Sequence, residues 1–309
     1  MIYSSIEELV GKTPTVRLSR LEERLSLNAK IYAKLEYFNP AGSVKDRVAL
    51  AMIEAAEREG LLRKGGSIIE ATSGNTGIAL AMIAAVRGYR AVILMPENMS
   101  RERALLIEAL GGEVILTDKK EGMSGAVRRA EELARETDGS FMPRQFENPE
   151  NPRIHSLTTA EEILADIEKL DIFLSGVGTG GTLSGVGRVL KEKNAKTEIV
   201  AVEPRESAVL SGGTPSPHGI AGIGAGFVPK TLDRSVIDRV ITVTLSDAVE
   251  SVRLIAKLEG ILCGISSGAA IYAAITEAQM KENEGKSILT VLPDGIERYL
   301  STDLFKSLP

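Results

Sequence analysis

A lysine in the first turn of a helix is a cation in an unfavourable place. In residues 39–47 (NPAGSVKDR), Pro40 and Gly42 make a turn, and Ser43 with Asp46 three residues on reads as a helix capping box. The apolar positions Val48, Leu50, Met52 and Ile53 then continue as a helix expected over 44–59. Lys45 therefore falls where unpaired N–H groups already set up a positive potential. Its ammonium form is disfavoured there, which makes the amine usable as a nucleophile or base. On the residues alone a second reading stays open, in which Lys45, like Arg47 beside it, stretches away from the helix into solvent.

Three glycine-rich stretches accompany it. In SGVGTGGTLSG, Gly176, Gly178 and Gly181 satisfy G-x-G-x-x-G after the strand DIFLS, and Glu203 ends the next strand where an acidic residue would hold a ribose. The same loop can instead cradle a single phosphate monoester, with Thr179, Gly180, Gly181 and Thr182 offering N–H and hydroxyl donors at a helix N-terminus. In EATSGNTGIAL, Thr72, Ser73, Gly74, Asn75, Thr76 and Gly77 form a second donor loop suited to a phosphate or a carboxylate. Either loop could also be no more than a tight turn or a helix cap. The third stretch, CGISSGAA, matches the G-x-S-x-G nucleophile elbow. A hydrolase of that class needs its histidine after the serine, and none follows His218. Ser266 or Ser267 is then expected to cap the next helix. With only His155 and His218 in the chain, acid–base chemistry is expected to rest on another side chain. An amine nucleophile beside a phosphate cradle suggests pyridoxal phosphate held as a Schiff base.

The elements that must position these residues alternate regularly. Strands are expected at 31–36, 67–71, 91–95, 113–117, 171–175, 198–202, 239–245 and 287–292. Helices are expected at 44–59, 76–86, 101–110, 124–136, 183–193, 247–259 and 267–280. This order predicts an α/β protein with parallel sheet. The proline-rich segment 141–153 (FMPRQFENPENPR) reads as a crossing between two lobes, and the glycine-rich segment 211–229 as a long functional or mobile loop. The 309 residues suffice for one large or two medium domains. A net charge of −5 argues against a nucleic-acid or anionic membrane surface, and the single cysteine, Cys263, excludes an intramolecular disulfide and a Cys-rich zinc site. No metal is expected. Apolar runs such as 78–86 are too short to span a bilayer, and the N-terminus lacks a signal-peptide pattern. A cytoplasmic location is the expectation.

The motifs NPAGSVKDR, TSGNTG, GVGTGGT, GIGAGF, GISSGAA and LPDGIERYLS occur in the order and spacing of the cysteine synthase (O-acetylserine sulfhydrylase) family. The resemblance runs from about Gly11 to Ser301. It implies the tryptophan synthase β-like pyridoxal-phosphate fold, with two lobes each built on a mainly parallel sheet flanked by helices. The implied smaller lobe is 45–149 and the larger lobe 1–44 with 150–309. The resemblance makes Lys45 the Schiff-base lysine and gives the cofactor phosphate to Gly178, Thr179, Gly180, Gly181 and Thr182. Asn75 would contact the cofactor's 3′ oxygen, and Ser266, in preference to Ser267, its pyridine nitrogen. Thr72, Ser73, Thr76 and Gln145 would grip the substrate carboxylate, and Gly222 would line the entrance.

The implied reaction is a β-replacement that converts O-acetyl-L-serine and sulfide to L-cysteine and acetate through an enzyme-bound aminoacrylate, with Lys45 removing the α-proton. Substrate carboxylate binding would draw the smaller lobe toward the larger. Cystathionine β-synthases and O-phosphoserine sulfhydrylases share most of the motifs. Arg205, Lys230 and Arg144 are candidate cations for phosphoserine. A nicotinamide-dependent oxidoreductase built on Gly176, Gly178, Gly181 and Glu203 leaves Lys45 and the 72–77 loop unexplained. The resemblance further implies a homodimer and, as a partner, the C-terminal tail of serine acetyltransferase. Two departures from the family pattern, Ala160-Glu161 for Gly-Pro and Ala221 before GIGAGF, bear on partner contacts and substrate preference more than on the chemistry.

Overall fold

The computed structural model describes residues 2–72 and 74–302. Its strands are β1 (Thr15–Arg17), β2 (Lys30–Leu35), β3 (Ser67–Ala71), β4 (Arg90–Pro96), β5 (Glu113–Thr117), β6 (Ser140–Phe141), β7 (Ile172–Gly176), β8 (Glu198–Pro204), β9 (Arg239–Val243) and β10 (Ser287–Leu292). Its helices are α1 (Ser19–Arg24), α2 (Lys45–Arg58), α3 (Asn75–Arg87), α4 (Arg101–Ala109), α5 (Gly122–Glu136), α6 (Glu150–Ile154), α7 (Ala160–Asp166), α8 (Gly181–Lys193), α9 (Leu245–Glu259) and α10 (Ile265–Ala278). A π-helical turn, His155–Thr159, joins α6 to α7.

The described chain divides into two compact units. One comprises residues 2–10, 39–150 and 298–302, and the other 11–38 and 151–297. The first unit thus contains the whole 45–149 segment together with residues from both ends of the chain. Its sheet runs β5-β4-β3-β6, and every pairing is parallel. The second unit carries the order β1-β2-β10-β7-β8-β9, parallel except for the antiparallel edge strand β1. Two units, each with a mainly parallel sheet flanked by helices, match the fold that the strand–helix alternation and the motifs imply.

Period-two alternation explains how each sheet is covered on both faces. In the first unit Ile68 and Ile93 face a core containing Ile53, Ile83 and Ile107. Their neighbours Ile69, Val92 and Leu94 face the opposite way, against Ala126 and Ala130 of α5. The second unit repeats the device. Ile172, Leu174 and Ile288 pack with Val252, Ile271 and Ala274, whereas Phe173 and Leu289 pack with Leu183, Val186 and Ile163. Covered on both faces, the central strands need near-continuous apolar runs, and SIIEA and RAVILMP supply them. Every residue of α3 from Thr76 to Ala84 is buried, so the loop that opens this helix rests on a rigid element.

Two strands and two helical segments escaped the periodicity. β1 and β6 have three and two residues, too few to show alternation. α1 has six. The run 150–166 is helical although its start lies in the proline-rich segment 141–153, read as a crossing between two lobes. Pro152 lies in its first turn, where no intrahelical N–H bond is needed.

Candidate active site

Lys45 is the first residue of α2. The capping box expected from Ser43 and Asp46 does not form. The cap position is Val44, and the Ser43 hydroxyl accepts from the Lys45 N–H at 3.2 Å instead of from Asp46. The preceding turn is the reason. Gly42 donates to the Asn39 carbonyl at 2.7 Å, and this tight closure aims the Ala41 N–H at the helix start. There it takes the Asp46 carboxylate at 2.5 Å, while the Ser43 hydroxyl donates to the other Asp46 oxygen at 3.3 Å. A fully buried carboxylate thus fixes the turn that presents Lys45.

The loop after β3 in the same unit is the second donor site. Thr72 donates its N–H to the Leu94 carbonyl at 3.0 Å as a last rung of the sheet, and its hydroxyl accepts from the Gly74 N–H at 3.2 Å. Gly74 has φ +150°, and a Cβ there would lie 2.1 Å from Cδ of Arg103, so the position admits only glycine. Asn75 opens α3, and the Thr76 hydroxyl donates to Oε1 of Gln145 at 2.6 Å, both side chains being buried. Three of the four residues expected to grip a carboxylate are therefore gathered at one helix N-terminus. The fourth, Ser73, lies outside the described residues. Glu70 holds Gln145 from behind. Its buried carboxylate accepts the Arg144 N–H at 2.7 Å and a further backbone N–H from Gln145. Burial pushes the Glu70 carboxyl up to about 7, against the opposing pull of these backbone donors.

In the second unit the loop after β7 leads into α8. Gly178 sits so close to the 222–223 backbone that a Cβ would meet the Gly222 carbonyl oxygen at 2.2 Å. Gly180 is left-handed, at φ +85°, and Gly181 opens the 13-residue helix. The Thr179 carbonyl is turned inward to accept from the Thr231 hydroxyl at 2.5 Å. Thr182 Oγ1 meets Nε2 of buried His155 at 3.2 Å, whose Nδ1 lies 2.8 Å from Thr159 Oγ1. A glycine-rich loop of amides and two threonine hydroxyls at the start of a helix has the donor set and local dipole for a phosphate, so the residues present fit that part of pyridoxal phosphate.

Ser266 and Ser267 are both buried on α10, and neither is the cap. The cap position is Gly264, with no side-chain bond to the helix. They face different neighbours. A Cβ on Gly222 would lie 3.5 Å from Ser266 Oγ, which brings together the two residues assigned to the ring nitrogen and the entrance. Ser267 lies beside the Cys263 thiol, which burial and then the nearby Asp294 push up to about 12. Glu203, required as a ribose ligand by the nicotinamide reading, is spent on its own loop. It accepts from the N–H groups of Leu210 and Ser211 and from the Ser211 hydroxyl.

Comparison with known proteins identifies the family. Residues 6–294 match the family model of pyridoxal-phosphate dependent enzymes. A cysteine synthase of Staphylococcus aureus (strain N315) is 54% identical over 303 residues, covering 97% of this chain and 96% of the relative. The chain belongs to the cysteine synthase family of pyridoxal-phosphate dependent enzymes. Among solved structures, a cysteine synthase of Entamoeba histolytica superposes with a TM-score of 0.96 at 47% identity, covering all of this chain and 92% of that one. An O-ureido-L-serine synthase also superposes with a TM-score of 0.96 at 47% identity, covering all of this chain and 97% of that one. Membership of this family makes the chain a pyridoxal-phosphate dependent enzyme, and the nicotinamide reading falls.

Several residues that support the candidate loops of the two units were not legible as such. Asn151 backs Gly181, where a Cβ would fall 1.9 Å from its Oδ1. His155 steadies Thr182, Glu70 holds the backbone of Gln145, and Arg298 donates to Asn75. Each acts through long-range contacts. Only LPDGIERYLS, quoted above as a motif, gave a local signal for one of them.

Proposed function

We propose that the chain makes L-cysteine and acetate from O-acetyl-L-serine and sulfide, by β-replacement. The observation that carries this reading is the position of Lys45 at the start of α2, on a turn held by a buried aspartate, in a chain of this family. Lys45 would hold the cofactor through its aldehyde, and its amine is the base that would take the α-proton. Backbone N–H groups of Gly178 to Thr182 hold the phosphate. Asn75 would donate to the 3′ oxygen, and Ser266 would offer a neutral hydroxyl to the ring nitrogen. Thr72, Ser73, Thr76 and Gln145 hold the substrate carboxylate, with helix-terminal N–H groups supplying fixed positive potential in place of mobile cations. Gly222 lines the entrance. Pyridoxal phosphate supplies a conjugated ring that takes up the electron pair left by the α-proton, so that the β-substituent can depart.

The same reading includes a homodimer in the cytoplasm and the serine acetyltransferase tail as a partner, both supported by family membership alone. The test is a visible absorption spectrum of the purified protein, before and after O-acetylserine is added. A violet-region band that changes on addition, together with sulfide-dependent cysteine formation, is the expected result. Lys45→Ala should abolish turnover, and cysteine formation by the purified variant would overturn the role given to Lys45. A band unmoved by O-acetylserine but moved by O-phosphoserine or serine would reassign the substrate.

A further inference from the structure

Arg298 is nearly fully buried, at 2% exposure, on the short 3-10 turn Ile296–Tyr299. A guanidinium is tolerated there only when its donors are met. Nη1 donates to Oδ1 of Asn75 at 2.6 Å, and Nη2 donates to the carbonyl of Ala41. These acceptors lie on two loops far apart in sequence, the start of α3 and the turn before Lys45. The Ala41 N–H in turn meets Asp46, Asp46 meets the Ser43 hydroxyl, and that hydroxyl accepts from the N–H of Lys45. One continuous hydrogen-bonded chain therefore runs from the Asn75 amide through Arg298 to the backbone of Lys45.

The chemistry of the link decides which way the amide points. A guanidinium carries donors only, so of the two ends of a carboxamide the oxygen alone can face it. The NH2 end is turned away from Arg298. A side chain that serves an ionised ring oxygen must present that donor end, and a carboxamide left to itself can flip. Nothing in NTG, read locally, prevents the flip.

We infer that Arg298 is a positioning residue, which fixes the Asn75 carboxamide with its NH2 end toward the cofactor and ties that amide to the turn carrying Lys45. The inference rests on the reading that Asn75 contacts the cofactor's 3′ oxygen. The role given to Arg298 is exercised through Asn75 and the Ala41 carbonyl. Its fork is what matters, since two acceptors on separate loops are bridged at fixed geometry, and the single ammonium of lysine is not pre-shaped to do so.

The experiment compares holoenzymes of the parent, Asn75→Ala, Arg298→Lys and the double variant by visible absorption and circular dichroism of the bound cofactor, with thermal melting alongside. Glu102→Gln serves as the control. It turns into a donor one of the two Glu102 oxygens that accept from the Ser301 N–H and hydroxyl, each at 2.7 Å, and so weakens the hold on the same segment away from Asn75. Asn75→Ala and Arg298→Lys should change the dichroic band in the same sense. The double variant should go no further than Asn75→Ala alone. Turnover should fall about tenfold in Arg298→Lys, in line with the loss of an outer hydrogen-bond partner. Glu102→Gln should keep the parental band even if it melts earlier. A folded Arg298→Lys with the parental band, or effects that add in the double variant, would overturn the inference. If Arg298→Lys does not fold, Asn75→Asp decides the matter. An aspartate held by Arg298 should melt above Asn75→Ala while altering the band, and equal melting of the two would count against the link. A parental band in Asn75→Ala would instead remove the cofactor contact of Asn75, and the inference with it.

Discussion

Three buried residues, Ser266 and Ser267 on α10 and Cys263 just before it, show how side chains of similar size are given different work. Ser266 faces Gly222, whereas Ser267 lies beside Cys263. Cys263 is the only cysteine of the chain and is fully buried. Only a thiolate is an effective sulfur nucleophile, and with the thiol pushed up to about 12 by burial and by Asp294 the ionised fraction at neutral pH is roughly one part in 10⁵. The buried Cys263 thiol is thereby kept unreactive. The native protein should accordingly show no reaction with an aromatic disulfide reagent at pH 7.5 on the timescale of minutes, and one equivalent should react in denaturant. Stoichiometric labelling of the folded protein would show that Cys263 is reached by solvent.

At the scale of elements, the loop proposed to hold the phosphate is shaped where three structures pack closely: the end of β7, the start of α8 and the 222–224 segment. The closest approach is at Gly178, where an added methyl would press on a backbone carbonyl that cannot rotate away. Gly178→Ala should therefore displace the 222–224 segment and weaken cofactor retention while the fold survives. Cofactor content per chain, read by absorbance after dialysis, should fall well below that of the parent with an unchanged far-ultraviolet dichroism spectrum. Full retention would remove this glycine from the cofactor's support. Strands and helices of this kind were legible in the sequence. SIIEA, RAVILMP and SILTVL announce buried parallel strands by their unbroken apolar runs, and the glycine loops stand where strand patterns give way to helix patterns. The supports were not. Asn151 behind Gly181, and Glu70 behind Gln145, are polar residues whose partners lie 30 and 75 positions away, and no local period encodes such a pairing. The capping box failed for a related reason. Its two residues have the right spacing, but Asp46 is claimed by an N–H on the preceding turn, a competition that spacing does not register.

For the whole molecule, buried and partly buried carboxylates pull stability in opposite directions with pH. Among those held low, Asp233 is kept there by its Ser235 hydrogen bond and then by Arg188. Burial pushes Glu198 and Glu102 up, but hydrogen bonds from Arg239 and Lys286 to the first, and from Ser301 to the second, outweigh it. These groups bind fewer protons folded than unfolded, so their stabilisation is present above the ordinary carboxylate range and is lost as pH falls through their folded values. Glu70 has the opposite sign. Its folded value, about 7 against 4.5, means that the native state holds a proton the unfolded chain releases, so stability declines as pH rises across that window. At about 1.4 kcal/mol per unit the decline amounts to roughly 3 kcal/mol, enough to be seen against the other groups. Urea midpoints of the parent should thus fall between pH 5 and pH 7.5, and those of Glu70→Gln, which cannot ionise, should stay level over the same range. Above pH 7 the ionised Glu70 accepts more strongly from the Arg144 and Gln145 backbone, so the carboxylate grip tightens while global stability is lower, and KM for the amino-acid substrate should drop in the parent but not in the variant. Parallel stability curves for the two proteins would mean that the backbone donors already outweigh burial and that Glu70 is ionised throughout.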